Sequence, residues 1–300
     1  MKRRSFIQRT LASSIFVSAA GLSLTSCAAN SKKHITILHT NDVHSHIDPF
    51  PATHSRNPNQ GGVARRAHLI EQIRLENPNT LLFDAGDMVQ GTPYFNFYGG
   101  EIEFKLMSML KYDAATLGNH DFDNGVGGLY AQLPNASFKI LNGNYDFTNT
   151  ILDGQIKPYS IFEKAGIKIG VFGLGIELEG LVNKSMYKET KYLDPIERAQ
   201  DISNELKNQN CDLIICLSHL GYQYDQDKVS DLILAKHTEN IDLIIGGHTH
   251  TFLDKPVIET NRKGRNVLIN QVGCYGLFLG RIDFYFEDAN STSNGVSISV

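Results

Sequence analysis

The chain has 300 residues, 41% of them hydrophobic, with 28 Lys and Arg against 32 Asp and Glu for a net charge of −4. That length and hydrophobic content suffice for a full buried core. The acidic balance, with no basic stripe interleaved with aromatics, argues against a nucleic-acid polymer as partner.

The N-terminus reads as a processing segment. Met1 to Arg9 is basic, Leu11 to Thr25 is apolar but short for a bilayer span, and Arg3-Arg4-Ser5-Phe6-Ile7 resembles a twin-arginine export signal. Leu24-Thr25-Ser26-Cys27 resembles a bacterial lipobox. Residues 1–26 are therefore expected to be an export signal. Lipid on Cys27 would anchor the protein to a membrane without spanning it, making it a periplasmic or cell-envelope lipoprotein. Removing residues 1–26 takes away four basic residues and no acidic ones, so the net charge falls from −4 to −8. Residues 27–33 read as a tether. Cys211 and Cys216 are expected on opposite faces of one strand, without a mutual disulfide. With Cys274 they are expected to be buried, inert thiols.

In chain order, His34 to Leu38 is predicted as the first strand, followed by Asp42-Val43-His44 and an irregular stretch to Gln60. A helix is expected over Val63 to Glu76, with Val63, Ala67, Ile70 and Ile73 at helical spacing. Thr80 to Phe83 is a strand leading into Gly86-Asp87. Met88 to Gly100 is a loop whose aromatics pack beneath it, and Glu101 to Leu110 is a helix. Asp113 to Leu117 is a strand ending in Gly118-Asn119-His120-Asp121, followed by a helical segment to Leu133 and a strand over Phe138 to Leu141. Tyr159 to Glu163 and Ile167 to Phe172 form a hairpin. Pro195 to Leu206 is a helix capped by Asp194, and Asp227 to Lys236 is another. Strands end at His219 and at Gly246-Gly247. From Val257 the pattern is strand and turn: Val267 to Gln271, Leu277 to Phe286, and Val296 to Val300. The alternation followed by hairpins argues an α/β domain with mixed sheets over residues 34–300.

Five apolar runs end in possible metal ligands, and the carboxyl ends of strands form the usual ligand crevice of an open sheet. The donors are two carboxylates (Asp42, Asp87), an amide (Asn119) and four imidazoles (His44, His219, His248, His250). Mixed oxygen and nitrogen donors without thiolate suit Zn, Mn or Fe and argue against Fe–S or Cu(I). Seven donors exceed one tetrahedral site. They suit two metals sharing a carboxylate, for which Asp87 is the choice, and such a pair binds both a substrate oxygen and its attacker. His120 is a proton donor near neutral pH, with Asp121 and Asp123 at hand to orient it. His39 reads as a packed strand-end residue, and His46 as a candidate support for His44.

Asp42-x-His44, Gly86-Asp87, Gly118-Asn119-His120-Asp121, Ser218-His219 and Gly247-His248-x-His250 resemble the signature blocks of the calcineurin-like metallophosphoesterases. The longer strings from Leu38 to His46, Asp84 to Asp87, Gly118 to Asp123 and Gly246 to His250 resemble the N-terminal metal-binding domain of bacterial 5′-nucleotidases. The resemblance implies a four-layer αββα sandwich, two mixed β-sheets flanked by helices. It implies one divalent ion on Asp42, His44, Asp87 and His250 and another on Asp87, Asn119, His219 and His248, drawn from Mn, Zn, Fe or Mg. It implies a metal-bound hydroxide attacking phosphorus in line, with His120, held by Asp123, stabilising the phosphoryl group or protonating the leaving oxygen.

Full-length 5′-nucleotidases carry a C-terminal nucleotide-recognition domain, which is expected to be absent here. The expected activity is a two-metal phosphomonoesterase of the 5′-nucleotidase type acting on a nucleotide or other small phosphoester. The alternatives are a 2′,3′-cyclic-nucleotide or other phosphodiesterase, and a non-catalytic lipoprotein subunit that binds a separate chain carrying the missing domain.

Overall fold

Strand β1 (Lys33–Thr40) is buried from Ile35 onward, as a strand at the centre of a layered fold must be. Its side chains alternate. Ile35 and Ile37 enter one core cluster and Leu38 enters another. The same alternation recurs in β2 (Thr80–Asp84), where Leu81 and Phe83 face one way and Leu82 the other. The computed structural model describes residues 32–287 and 290–300. The expected export signal and the Cys27 lipidation site lie outside the described residues, as does most of the tether, whose last residue, Lys33, opens β1.

Helix α1 (Val63–Glu76) returns the chain from β1 to β2. A short helix α2 (Pro93–Tyr98) occupies what the sequence presents as loop, started by Pro93 in its first turn and ended by Gly99 in the left-handed region. Only Phe95 of its aromatics packs inward; Phe97 is 81% exposed, so the expected burial of this cluster fails there. Helix α3 (Glu101–Met109) leads to β3 (Ala114–Ala115). Helix α4 (Gly125–Gln132) leads to β4 (Lys139–Ile140). The chain then crosses over through β5 (Tyr145–Asp146) and pairs β6 (Tyr159–Lys164) with β7 (Ile167–Leu174) as the expected hairpin. Helix α5 (Lys184–Tyr187) and β8 (Lys191–Tyr192), which pairs with β5, are too short to leave a periodic signal.

Helix α6 (Pro195–Asn208) is capped by Asp194, whose carboxylate accepts from the Ile196 and Glu197 amides. Strand β9 (Leu213–Ser218) follows, then α7 (Asp231–His237). Helix α7 starts four residues later than expected, at Asp231, where the Ser230 side chain caps it by accepting from the Ile233 amide. Strands β10 (Leu243–Gly246), β11 (Val257–Thr260), β12 (Asn266–Asn270), β13 (Phe278–Glu287) and β14 (Asn290–Ser299) complete the chain.

One sheet has the order β14-β13-β1-β2-β3-β4 and the other β11-β12-β10-β9-β7-β6. Each has four parallel strands, with the antiparallel strands at its margins. Ile35, Leu81, Phe83, Ile169, Ile215 and Ile245 belong to a core shared by the two sheets. Ile70, Ile73 and Phe104 of the helices close the outer face of the first sheet. Ala199, Ile202, Leu206 and Leu234 close the outer face of the second. This is the expected four-layer αββα sandwich of mixed sheets.

Cys211 precedes β9 rather than sitting within it. The expected opposite-face placement therefore fails: Cys211 and Cys216 share one outer cluster, both buried and free. Cys274 is free and only partly buried. Among the described residues no helix is long and apolar enough to cross a membrane.

Candidate metal centre

The parallel strands of both sheets deliver their carboxyl ends to one edge. Asp42 and His44 follow β1, Asp87 follows β2, Asn119 and His120 follow β3, His219 follows β9, and His248 and His250 follow β10. Five of these side chains sit on left-handed backbone: Asp42 (φ 49°), His44 (φ 50°), Asp87 (φ 55°), His248 (φ 72°) and His250 (φ 52°). That region is costly for any residue with a Cβ, and such strain collects where a site is built. The loops are stitched together to hold it. The Asp42 and His44 amides donate to the carbonyls of Gly86 and Asp87 at 2.9 and 3.0 Å.

The side chains converge. His44 Nε2 and His250 Nε2 stand 3.0 Å apart, with Asp42 Oδ1 3.9 and 3.4 Å from them. Asp87 Oδ2 lies 3.1 Å from His219 Nε2 and 3.8 Å from His44 Nε2. His248 Nδ1 is 2.9 Å from Asn119 Oδ1. Two groups have ligand atoms within 4.8 Å of one another: Asp42, His44 and His250, and Asp87, His219 and His248. They meet at Asp87.

The electrostatics ask for positive charge between them. Burial opposes ionisation of Asp87, but His219 and His44 overcome it and hold its carboxyl well below the usual range. Burial likewise opposes charge on His219, yet Asp87 pushes it up to about 10. The bond to Asp42, with Cys274 beside it, pushes His250 up to about 10. The buried carboxylates thus favour positive charge on the imidazoles beside them, and a divalent ion supplies that charge where neutral imidazole and ionised carboxylate are its ligands. His248, pushed down to about 4 by burial and the His219 charge, is already neutral. His219 Nδ1 is fixed on the Ala85 carbonyl at 2.7 Å, so its buried Nε2 is left aimed at the cluster. The residues fit a pair of divalent ions.

His120 stands at the rim, its ring 5.2 Å from that of His44. Its Nδ1 is 2.9 Å from Asp123 Oδ2, a bond that raises its pKa against the opposing effect of burial. Asp121 does not share in orienting it. Its carboxylate accepts instead from the amides of Asp87, Met88 and Gly118 at 2.8–3.0 Å, bracing two loops from inside. Burial and the Asp87 charge push Asp121 up to about 7.

Two supporting residues escape a strand-end reading. Asn41 donates to Asp42 Oδ2 at 2.6 Å and to the Gly273 carbonyl at 2.7 Å. Gln271, fully buried, donates to the Gly247 carbonyl and accepts from Thr249 and Thr251, clamping the loop that carries His248 and His250. The one available signal was a polar Asn270-Gln271 pair closing an apolar strand. His46 Nδ1 reaches the His44 carbonyl at 2.9 Å. His39 is buried and held neutral, pushed down to about 3 by burial, and accepts from Asn270.

Gly118 is required by close approach. A Cβ there would overlap the Asp87 carboxylate and the His219 ring. Gly118→Ala is expected to fold but to bind Mn²⁺ at least about tenfold more weakly, the scale on which misplaced ligands lose metal. Calorimetric titration checks this, and parent-like affinity would show that the cradle tolerates the methyl.

Residues 35–252 match the model of the calcineurin-like phosphoesterase family. A snake venom 5′-nucleotidase of Crotalus adamanteus is 36% identical over 275 residues, which span 85% of this chain and 45% of that protein. The crystal structure of a 5′-nucleotidase precursor from Thermus thermophilus superposes with a TM-score of 0.82 at 33% identity, covering 89% of this chain and 55% of that one. That of the calcineurin-like phosphoesterase YfkN from Bacillus subtilis gives 0.73 at 28% identity, covering 90% and 91%. Fold and clustered ligands define a metallophosphoesterase domain, and the chain belongs to the calcineurin-like phosphoesterase family. It spans about half the length of the curated relatives it matches.

Proposed function

We propose that the chain is a two-metal phosphomonoesterase of the 5′-nucleotidase type. Asp42, His44, Asp87 and His250 would hold one divalent ion, and Asp87, Asn119, His219 and His248 would hold the other, the ions being drawn from Mn, Zn, Fe or Mg. The observation carrying this reading is the position of Asp87 Oδ2 between the His44 and His219 nitrogens. Bound there, the ions would supply Lewis acidity toward phosphoryl oxygens and activate a water.

The protein's own groups do the rest. Asp123 holds His120 Nδ1, which leaves Nε2 free to meet the phosphoryl group or to protonate the leaving oxygen. Asp87 Oδ1 accepts the His120 amide at 2.8 Å, tying the acid to the bridging carboxylate. A nucleotide as substrate is supported by the names of relatives above 30% identity. The export signal over residues 1–26, lipid on Cys27 and a separate chain completing nucleotide recognition belong to the same proposal. The first two are supported by the sequence pattern alone.

The test uses the soluble chain from Ala28, stripped with a chelator. Phosphate release from AMP and p-nitrophenyl phosphate is expected to fall by at least about a hundredfold without metal and to return with Mn²⁺, since the ions carry the electrostatic stabilisation. Turnover of the small ester but not AMP would place nucleotide recognition on another polypeptide. Turnover of 2′,3′-cyclic AMP alone would make the site a diesterase. Two bound metals with no turnover of any of the three would leave a non-catalytic subunit.

A further inference from the structure

Behind the ligand loops lies a cavity of about 20 Å³, bounded by α1, α3 and the segments that carry His44 and Asp87. Its walls include Val43 and Ser45 on either side of His44, Met88 beside Asp87, and Asp84. Ionisable side chains line it: Arg66, Glu103 and Asp84, whose ionised form burial opposes and the Arg66 charge favours. Arg66 of α1 and Glu103 of α3 are each 5% exposed. No ion pair within 4 Å joins either to a described partner, and protein groups satisfy neither Arg66 Nε and Nη1 nor the two Glu103 oxygens. The Ser45 hydroxyl, fully buried, is unsatisfied as well.

Buried charges persist only when compensated and hydrogen-bonded. No ion pair within 4 Å joins Arg66 to Glu103, while a site needs about 10–15 Å³ and two to four polar partners to hold a water. This cavity meets both conditions. The guanidinium offers donors, the carboxylate acceptors, and Ser45 can do either. We propose that Arg66 and Glu103 form a water-bridged buried ion pair, and that this hydrated pair positions the metal-binding loops from behind.

The route to the loops is short. The Ser45 amide donates to the Met88 carbonyl at 3.2 Å, so a bridging water on the Ser45 hydroxyl fixes the seam between the His44 and Asp87 loops. Asp84 accepts the Gly86 amide at 2.9 Å and the Thr40 hydroxyl at 2.5 Å, setting the turns that launch both loops. The Arg66 guanidinium also lies hard against Gly276, where a Cβ would overlap it. The neighbouring Tyr275 amide donates to the Asp42 carbonyl at 2.7 Å.

The positioning role rests on the reading that these loops hold metal, while the pair itself does not. A high-resolution crystal structure of the full mature chain is expected to show an ordered water within hydrogen-bond reach of both Arg66 and Glu103. A direct guanidinium–carboxylate contact, or no water there, overturns the pair whatever the metal content. Mn²⁺ titration of the chelator-stripped chain then tests positioning. Glu103→Leu is expected to weaken metal binding about tenfold with kcat at saturating metal unchanged, and Glu103→Gln, which keeps an acceptor for the water, to stay within about threefold of the parent. Parent-like affinity in Glu103→Leu overturns the positioning role. Should the single variant fail to fold, Arg66→Met with Glu103→Leu leaves no unpaired charge and is read in the same titration.

Discussion

Replacing Asp87 by asparagine is expected to cost the chain metal as well as turnover. The change is nearly isosteric and keeps one oxygen to accept the His120 amide, now at 2.8 Å. It removes the charge that faces His219 at 3.1 Å and His44 at 3.8 Å. A carboxylate can place an oxygen lone pair on each of two cations; an amide turns a nitrogen with two hydrogens toward one of them. Each ion loses a ligand and the pair loses half of its two buried carboxylates. Metal content per chain is expected to drop below two, and kcat at saturating Mn²⁺ to fall on the order of 10³-fold, the scale of losing one preorganised electrostatic contact with the transition state. Metal analysis after desalting, beside phosphate release, checks both. Two tightly held ions per Asp87→Asn chain would sink the bridging assignment.

The same residue shows what could and could not be read in advance. Asp87 stands three residues past the end of β2 because Ala85 and Gly86 carry the chain out of the sheet, and a Gly-Asp step at a strand end is visible in sequence. The core strands were legible for the same physical reason: β1, β2, β9 and β10 are buried on both faces over most of their length and carry apolar runs there, Ile37-Leu38, Leu81 to Phe83, Leu213 to Leu217 and Leu243 to Ile245. β14 was legible only over its last residues. It begins Asn-Ser-Thr-Ser-Asn-Gly and is held by backbone pairing to β13, which side-chain patterning does not record. The short β5, β8 and α5 fail for lack of length. At the centre, residue types and strand ends revealed the candidate donors but not their supports. Asp121 looks, in sequence, like a second partner for His120. Only folding shows that it points the other way, onto the Asp87, Met88 and Gly118 amides. Gln271 is 24 residues from the Gly247 carbonyl it clamps, a separation no local pattern spans. The left-handed backbone at Asp42, His44, Asp87, His248 and His250 is likewise a product of the assembled loops, tolerated because several hydrogen bonds overdetermine it.

His120→Asn separates chemistry from metal binding. His120 is absent from both three-residue ligand groups, and its Nδ1 is engaged by Asp123, so its loss removes no donor from the centre. Both ions are expected to stay. Turnover is expected to fall by about 10²–10⁴, the usual worth of a positioned proton donor, which corresponds to about 3–5 kcal/mol of transition-state stabilisation at 1.36 kcal/mol per tenfold. Asp123→Asn is expected to cost less, because the imidazole survives and loses only the partner that fixes its tautomer and raises its pKa. The two changes share one mechanism, so the double variant should be no slower than His120→Asn alone, a non-additivity characteristic of residues acting as a unit. Metal content and kcat for the four chains, measured on p-nitrophenyl phosphate and AMP, complete the cycle. A good leaving group needs less proton donation, so the nitrophenyl ester should be less sensitive to His120→Asn than AMP if the residue protonates the leaving oxygen. Equal losses on the two substrates would assign His120 to the phosphoryl oxygens instead. Parent-like turnover on both would make it a turn residue, and the centre would have to work through its ligands alone.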